Sequence, residues 1–299
     1  MSVDLIVGGA SKAGTTALYD MLRQRPDFIL PKRKELHYFS RPFFEGTTNG
    51  PGDAAVLAEI PDTLDTYFAH FADKRPGQIA VDVSPSYLFH HASAAAIERE
   101  LPSVKIVFIL RRPEEKVFSQ YTHLVGEGRE TMSFEDALGA EANRKAAGYS
   151  DIWLYAESGY YADAIMAFQA ALGPGRTMIV LFDDFRRDPG SVLRDICLFV
   201  GLDGRQEFRT ELESNVSGAP RSVLLARLIG PNAFTNLLRR ILPSQLGRIA
   251  RRALRAANSA GKPILNPETR NMLKGIYAED ISRLETLIGR KTGWLTPKE

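Results

Sequence analysis

The sequence predicts an α/β fold of three layers, a central parallel sheet between helices, followed by a mostly helical C-terminal segment. Three observations predict it. Four short apolar runs, at 4–9, 78–83, 104–110 and 177–182, have the length and β-branched content of buried strands. Stretches with apolar residues at helical spacing separate them, the order that yields a parallel sheet covered on both faces. The composition, 44% hydrophobic and 25% charged over 299 residues, is that of an ordinary globular chain. A chain of that size can bury a large core, and disorder, collagen and coiled coil are excluded. One domain is expected over 1–299.

The elements follow in order. The run DLIVGG at 4–9 leads into a Gly/Ser/Lys loop, then into TTALYDMLRQRP, which is helical in spacing until Pro26. QIAVDV at 78–83 is the second strand. VKIVFIL at 104–110 is the third and the most β-branched. Pro113 then stands where a helix begins, with Glu114 and Glu115 suited to its first turn. TMIVLF at 177–182 is the fourth strand, and the helix after it ends at Gly201. Residues 266–289 read as a final amphipathic helix. Glycines and a proline make 40–60 an expected loop or flap. The one cysteine, Cys197, lies in an apolar helical stretch and is expected to be a buried thiol, which leaves no intrachain disulfide or Cys-based zinc site.

Residues 9–16 (GASKAGTT) space their glycines as a phosphate-binding P-loop does, between a strand and a helix. Backbone amides and a helix N-terminus there form a cradle for phosphate-like oxygens. The expected sheet is therefore P-loop-like. In an NTPase loop, lysine follows the second glycine; here Thr15 holds that place and Lys12 stands in the turn. A lysine so placed suits the bridging oxygen of a phosphosulfate better than a triphosphate, and a nucleotide or nucleoside kinase is the weaker reading.

Several motifs in order carry a resemblance: SKAGTTAL, KELHYF at 34–39, DVSPSYL at 82–88, ILRRPEEKVFSQY at 109–121, and SGYYADAIMAFQ leading to IVLFDDFRRDP. The chain resembles sulfotransferases that use 3′-phosphoadenylyl sulfate (PAPS), in particular the heparan sulfate N- and 3-O-sulfotransferase branch and its bacterial relatives. The resemblance spans about 4–202, a nucleotide-binding core, and resumes weakly over 263–295. Residues 203–299 are then a basic, acceptor-side helical segment with the final helix.

The resemblance implies sulfuryl transfer from PAPS to a hydroxyl or amine of a carbohydrate or other metabolite, by in-line displacement without metal. It implies that Lys12, Ala13, Gly14, Thr15 and Thr16 hold the 5′-phosphosulfate, with Lys12 neutralising the leaving oxygen. Arg111 and Ser119 match the residues that bind the donor's 3′-phosphate. Arg111 follows a strand at its carboxyl end, where open α/β sheets bind ligands, and its fork suits phosphate oxygens. Its neighbour Arg112 is expected on the surface. Glu35 matches the general base and His37 a nearby histidine that positions the base or the acceptor; either has suitable chemistry, although a glutamate acting as base calls for a pKa raised by burial. Lys32, Arg33 and Lys34 offer contacts to an anionic acceptor or simply form a solvated basic turn. Three departures stand out. Val83 replaces a lysine of the glycan enzymes, their late donor-closing loop has no clear counterpart (Arg221 or Lys262 substitutes), and their two-cysteine hairpin cannot exist here.

Charge is distributed unevenly. Residues 214–267 carry no Asp or Glu but nine of the 38 basic residues, leaving 29 against 36 acidic elsewhere, although the net charge is only +2. This stretch reads as a lid over an acidic polymer, as a helix lying on an anionic membrane through 214–262, or as a solvated face. The middle option makes the protein membrane-peripheral, and a non-catalytic polyanion- or membrane-binding protein is the remaining alternative. With Phe234 its sole aromatic, the stretch is a poor stacking platform, so nucleic acid is not expected as a partner. No leader and no apolar run of membrane-spanning length is evident, so a cytoplasmic location is the default expectation.

Overall fold

The computed structural model of the chain describes residues 2–205, 208 and 263–296. Among these, strands β1 (Leu5–Gly9), β2 (Phe28–Ile29), β3 (Ile79–Val83), β4 (Lys105–Leu110) and β5 (Thr177–Leu181) form one parallel sheet in the order β2-β3-β1-β4-β5. The expected four strands are all present. β2 is a fifth, too short at two residues to leave a periodic signal.

β4 is wholly buried over Ile106–Leu110, because helices pack on both sides of the sheet. Five longer helices matter here: α1 (Thr15–Leu22), α2 (Pro113–Gly126), α3 (Ala162–Leu172), α4 (Pro189–Phe199) and α5 (Pro267–Ile288). Pro113 begins α2 as its composition implies, and α5 runs between an Asn266 cap and Gly289 in the left-handed conformation. Asp280 of α5 accepts hydrogen bonds from the first amides of α3, Tyr161 at 2.8 Å and Ala162 at 3.1 Å, and so ties the last helix to the body. Cys197 is a fully buried thiol, with the Arg25 guanidinium donating to its Sγ at 3.2 Å.

Two expectations are corrected. The stretch 40–60 is not an open loop, since Arg41–Phe44 and Asp53–Leu57 are short helices. Asp53 anchors the second, accepting from Ser150, Trp153 and Arg129 while almost fully buried. Arg112 is not on the surface either. It is 6% exposed and donates to the carbonyls of Gly293 at 2.9 Å and Trp294 at 3.0 Å, so the chain after α5 covers it. The basic stretch 214–262, with Arg221 and Lys262, lies outside the described residues.

Candidate active site

Parallel strands point their carboxyl ends to one edge, and the strand order reverses beside β1. From β1 the chain passes first to β2 and β3 on one side, then to β4 and β5 on the other. A crevice is expected where loops diverge in this way. The loops after β1, β2 and β4 meet there at the end of β3, and they carry the residues singled out above.

The first loop turns sharply after β1. Gly9 has φ +138°, and a Cβ there would overlap the backbone of Ile109; Gly14 has φ +92°, and its Cβ would come within 2.9 Å of the Phe182 ring. Only glycine suits both positions. Gly14 caps α1 with no side-chain bond, so the first amides of α1 face the crevice. Ala13 and Thr15 are buried and Thr16 is exposed.

Arg111, just past β4, donates through Nη1 to the Lys12 carbonyl at 2.9 Å and lies over the Phe182 ring at 5.1 Å. Its backbone carbonyl accepts from the Tyr161 hydroxyl at 2.9 Å, and Glu115 stands 3.5 Å from its Nη2. Its Nε is buried without a hydrogen-bond partner. That orphaned donor, the glycine cradle and the unbonded helix amides fit an anionic nucleotide tail.

The segment 34–39 docks on the end of β3. The Glu35 amide donates to the Val83 carbonyl at 3.0 Å, and the His37 amide to Ser84 Oγ at 3.1 Å. Val83 therefore contributes its backbone where no cationic side chain is available. Lys34 turns inward onto Glu35, and Arg33 pairs with Glu59, so neither is a free solvated cation. His37 Nε2 lies 3.6 Å from Glu35 Oε2.

Among the described residues, three that are not glycine have positive φ: Lys12 at +68°, Glu35 at +67° and His37 at +55°. Each such residue costs of order 1–3 kcal/mol, and such costs cluster where function holds the backbone. Their coincidence with the residues picked out by sequence is independent of any motif.

Glu35 lies deep among protein atoms, yet 41% of its side chain stays open, as on the floor of a cleft. Burial pushes its carboxyl up, but the His37 hydrogen bond and the Lys34 ammonium outweigh this and hold it well below the usual carboxylate range. The expected raised pKa is thus replaced by a firmly ionised group, because two donors converge on it. Burial lowers the Lys12 ammonium, while the charges of Glu127 and Glu35 act to raise it.

Sequence reasoning missed part of the site. Residues 111, 115, 119, 123 and 127 are four apart, so α2 and its ends present Arg111, Glu115, Ser119, His123 and Glu127 as one half-open stripe. Ser119 follows Glu115 by four residues on α2, and Glu115 lies 3.5 Å from Arg111. His123 stands 3.8 Å from Glu127 and is pushed down to about 4 by burial and by the Lys12 charge. The four-residue spacing is readable in the sequence, but nothing local ties His123 to the Lys12 charge that acts on it.

A profile of the sulfotransferase family matches residues 4–207, more than half of the chain and all five strands. The chain belongs to the sulfotransferase family. A solved sulfotransferase from Alicyclobacillus acidocaldarius superposes on this one with a TM-score of 0.79 at 28% identity, covering 99% of this chain and 100% of that one. Heparan sulfate glucosamine 3-O-sulfotransferase 3A1 of Mus musculus is 27% identical over 197 residues, 66% of this sulfotransferase and 45% of the mouse protein. The bifunctional heparan sulfate N-deacetylase/N-sulfotransferase 1 of Mus musculus is 24% identical over 213 residues, 70% of this chain and 23% of that protein. The chain spans less than half the length of these mouse relatives. Among its described residues no cluster of His, Cys, Asp and Glu is arranged to hold a metal ion, and no helix is long and apolar enough to cross a membrane.

Proposed function

We propose that this sulfotransferase transfers a sulfuryl group from PAPS to a hydroxyl or amine of a carbohydrate or related metabolite. The observation that carries the reading is the meeting of Lys12, Glu35 and Arg111, from three loops, at the point where the strand order reverses. The donor supplies an activated sulfuryl group. Arg111 and Ser119 bind its 3′-phosphate, while Lys12 and the amides of Ala13, Gly14, Thr15 and Thr16 hold the phosphosulfate. Glu35 removes the acceptor proton as the new S–O bond forms, and the bond from sulfur to the phosphate oxygen breaks in line. Lys12 offsets the charge left on that oxygen. His37, 3.6 Å from Glu35, orients the carboxylate.

A carbohydrate hydroxyl is the acceptor class favoured by the likeness to glucosamine 3-O-sulfotransferases. The donor assignment is tested by calorimetry: adenosine 3′,5′-bisphosphate is expected to bind tightly without magnesium, and ATP with magnesium weakly. The reverse order would indicate a kinase. A PAPS-loaded acceptor screen read by mass spectrometry is expected to show one sulfuryl group gained, and Glu35→Gln to lower that turnover by about 10²-fold or more. Full turnover by Glu35→Gln would remove Glu35 from the role of base.

A further inference from the structure

The proposed reaction gives Lys34 no part, although its side chain is only 16% exposed and its ammonium donates to Glu35 Oε1. His37 Nε2 lies 3.6 Å from the other oxygen, Oε2. Each oxygen of the base thus has a nitrogen beside it. The Lys34 charge also bears on Lys12, as those of Glu35 and Arg111 do, so two ammonium groups from two loops share the crevice with Glu35. The other charged or titratable groups around them are Arg111 beyond β4, His123 and Glu127 on α2, and His37 on the same segment.

A carboxylate takes up a proton in proportion to its basicity. Gripped by Lys34 and His37, Glu35 is ionised but a weak base, because the charge that stabilises the anion opposes its protonation. For Glu35 to draw a proton from a hydroxyl, one of the two has to let go. His37 is anchored: its amide donates to Ser84 Oγ at 3.1 Å, its Nδ1 lies 2.6 Å from Ser86 Oγ, and its ring packs on Phe44 with centroids 5.5 Å apart. Lys34 is not. Among the described residues Glu35 is the one hydrogen-bond partner of its ammonium, which rides on a flexible four-carbon stem. A sulfonate carried in beside Lys12 offers that ammonium three oxygens in place of one. We propose that Lys34 is a second catalytic cation: the sulfonate of bound PAPS draws its ammonium off Glu35, so that one movement places a charge on the transferring group and frees the base. This rests on the sulfotransferase reading with Glu35 as base. Donor binding therefore arms Glu35, and without the donor the carboxylate stays clamped. Lys34 keeps its own proton throughout; the proton of the reacting hydroxyl goes to Glu35 as the new S–O bond forms. Lys12 serves the bridging oxygen and Lys34 the sulfonate oxygens.

Calorimetry of the full chain with two ligands tests this: PAPS, which carries the sulfonate, and adenosine 3′,5′-bisphosphate, which lacks it. Lys34→Met is expected to weaken PAPS binding about tenfold or more while leaving the bisphosphate within about twofold, and Lys34→Arg to recover most of the PAPS affinity. The second readout is ¹³C NMR of the chain labelled at its glutamate carboxyls, with the Glu35 signal assigned by its loss in Glu35→Gln. In wild type PAPS is expected to move the Glu35 titration midpoint upward by about one pH unit or more, whereas in Lys34→Met the midpoint starts higher and moves less. Unchanged PAPS affinity in Lys34→Met overturns the inference, as does an equal loss for both ligands, the mark of a merely structural lysine. A wild-type midpoint that PAPS leaves in place overturns it too, and that measurement needs no variant. The sulfotransferase reading fails separately, through tight binding of ATP with magnesium in place of the bisphosphate, and Glu35 as base fails through retained transfer in Glu35→Gln.

Discussion

Lys12 is the residue at which burial and charge oppose each other most directly. Its ammonium is lowered by desolvation and supported chiefly by Glu127 and Glu35. In the proposed reaction the protonated form is the active one, so activity is expected to fall on the alkaline side at a pH below lysine's ordinary value of about 10.4. Removing a charge that raises the pKa must lower it further, so Glu127→Gln is expected to move that limb to still lower pH. Lys12→Arg should abolish the limb within the measurable range, and Lys12→Ala should lower kcat by about 10²–10³-fold without unfolding the protein; pH–rate profiles between pH 6 and 11, with thermal melts beside them, check all three. Lys12 and Arg111 were legible in the sequence because loop glycines and a strand end mark their places, and Glu35 only through the family resemblance. Glu127 was not, since the Lys12 ammonium it supports comes from a distant part of the chain.

The turns and helices impose their own requirements. The turn after β1 leaves no room at Gly9, where a Cβ would strike the backbone of β4, which is part of the sheet and cannot give way. Gly9→Ala is therefore expected to destabilise the fold by about 3 kcal/mol or more and to abolish bisphosphate binding, as read by urea unfolding and calorimetry. Inside α2, Lys116 is 2% exposed and hydrogen-bonded to Ser158, and burial lowers its ammonium to about 7. The folded state thus binds this proton less readily than the unfolded chain, so its contribution to stability rises from about pH 7 up to lysine's ordinary value of about 10.4 and falls to its minimum below pH 7. Lys116→Met is expected to flatten that part of the melting-temperature profile measured across pH 6–10. The element pattern itself was largely readable: long apolar runs and Pro113 marked β4 and α2. β2 was not, because two residues carry no period, and the helix at 53–57 is held by Asp53 contacts that span about a hundred residues.

Across the whole molecule, the C-terminal residues reach back to the donor side. Arg112 bonds the carbonyls of Gly293 and Trp294 next to the residue that faces the crevice, and Trp294 is 1% exposed. Arg112→Ala leaves two carbonyls without their donor and is expected to cost about 2–3 kcal/mol, visible in urea unfolding followed by tryptophan fluorescence. The sequence suggested an exposed arginine there because its partners arrive from 181 residues away, a closure that local composition does not announce. The left-handed backbone shared by Lys12, Glu35 and His37 bears on how this molecule would respond to selection for heat resistance alone. Glycine would relax all three positions, so such a selection would reward variants that are sturdier and inert. Such variants would exchange the polar side chains that meet at the crevice for thermal endurance.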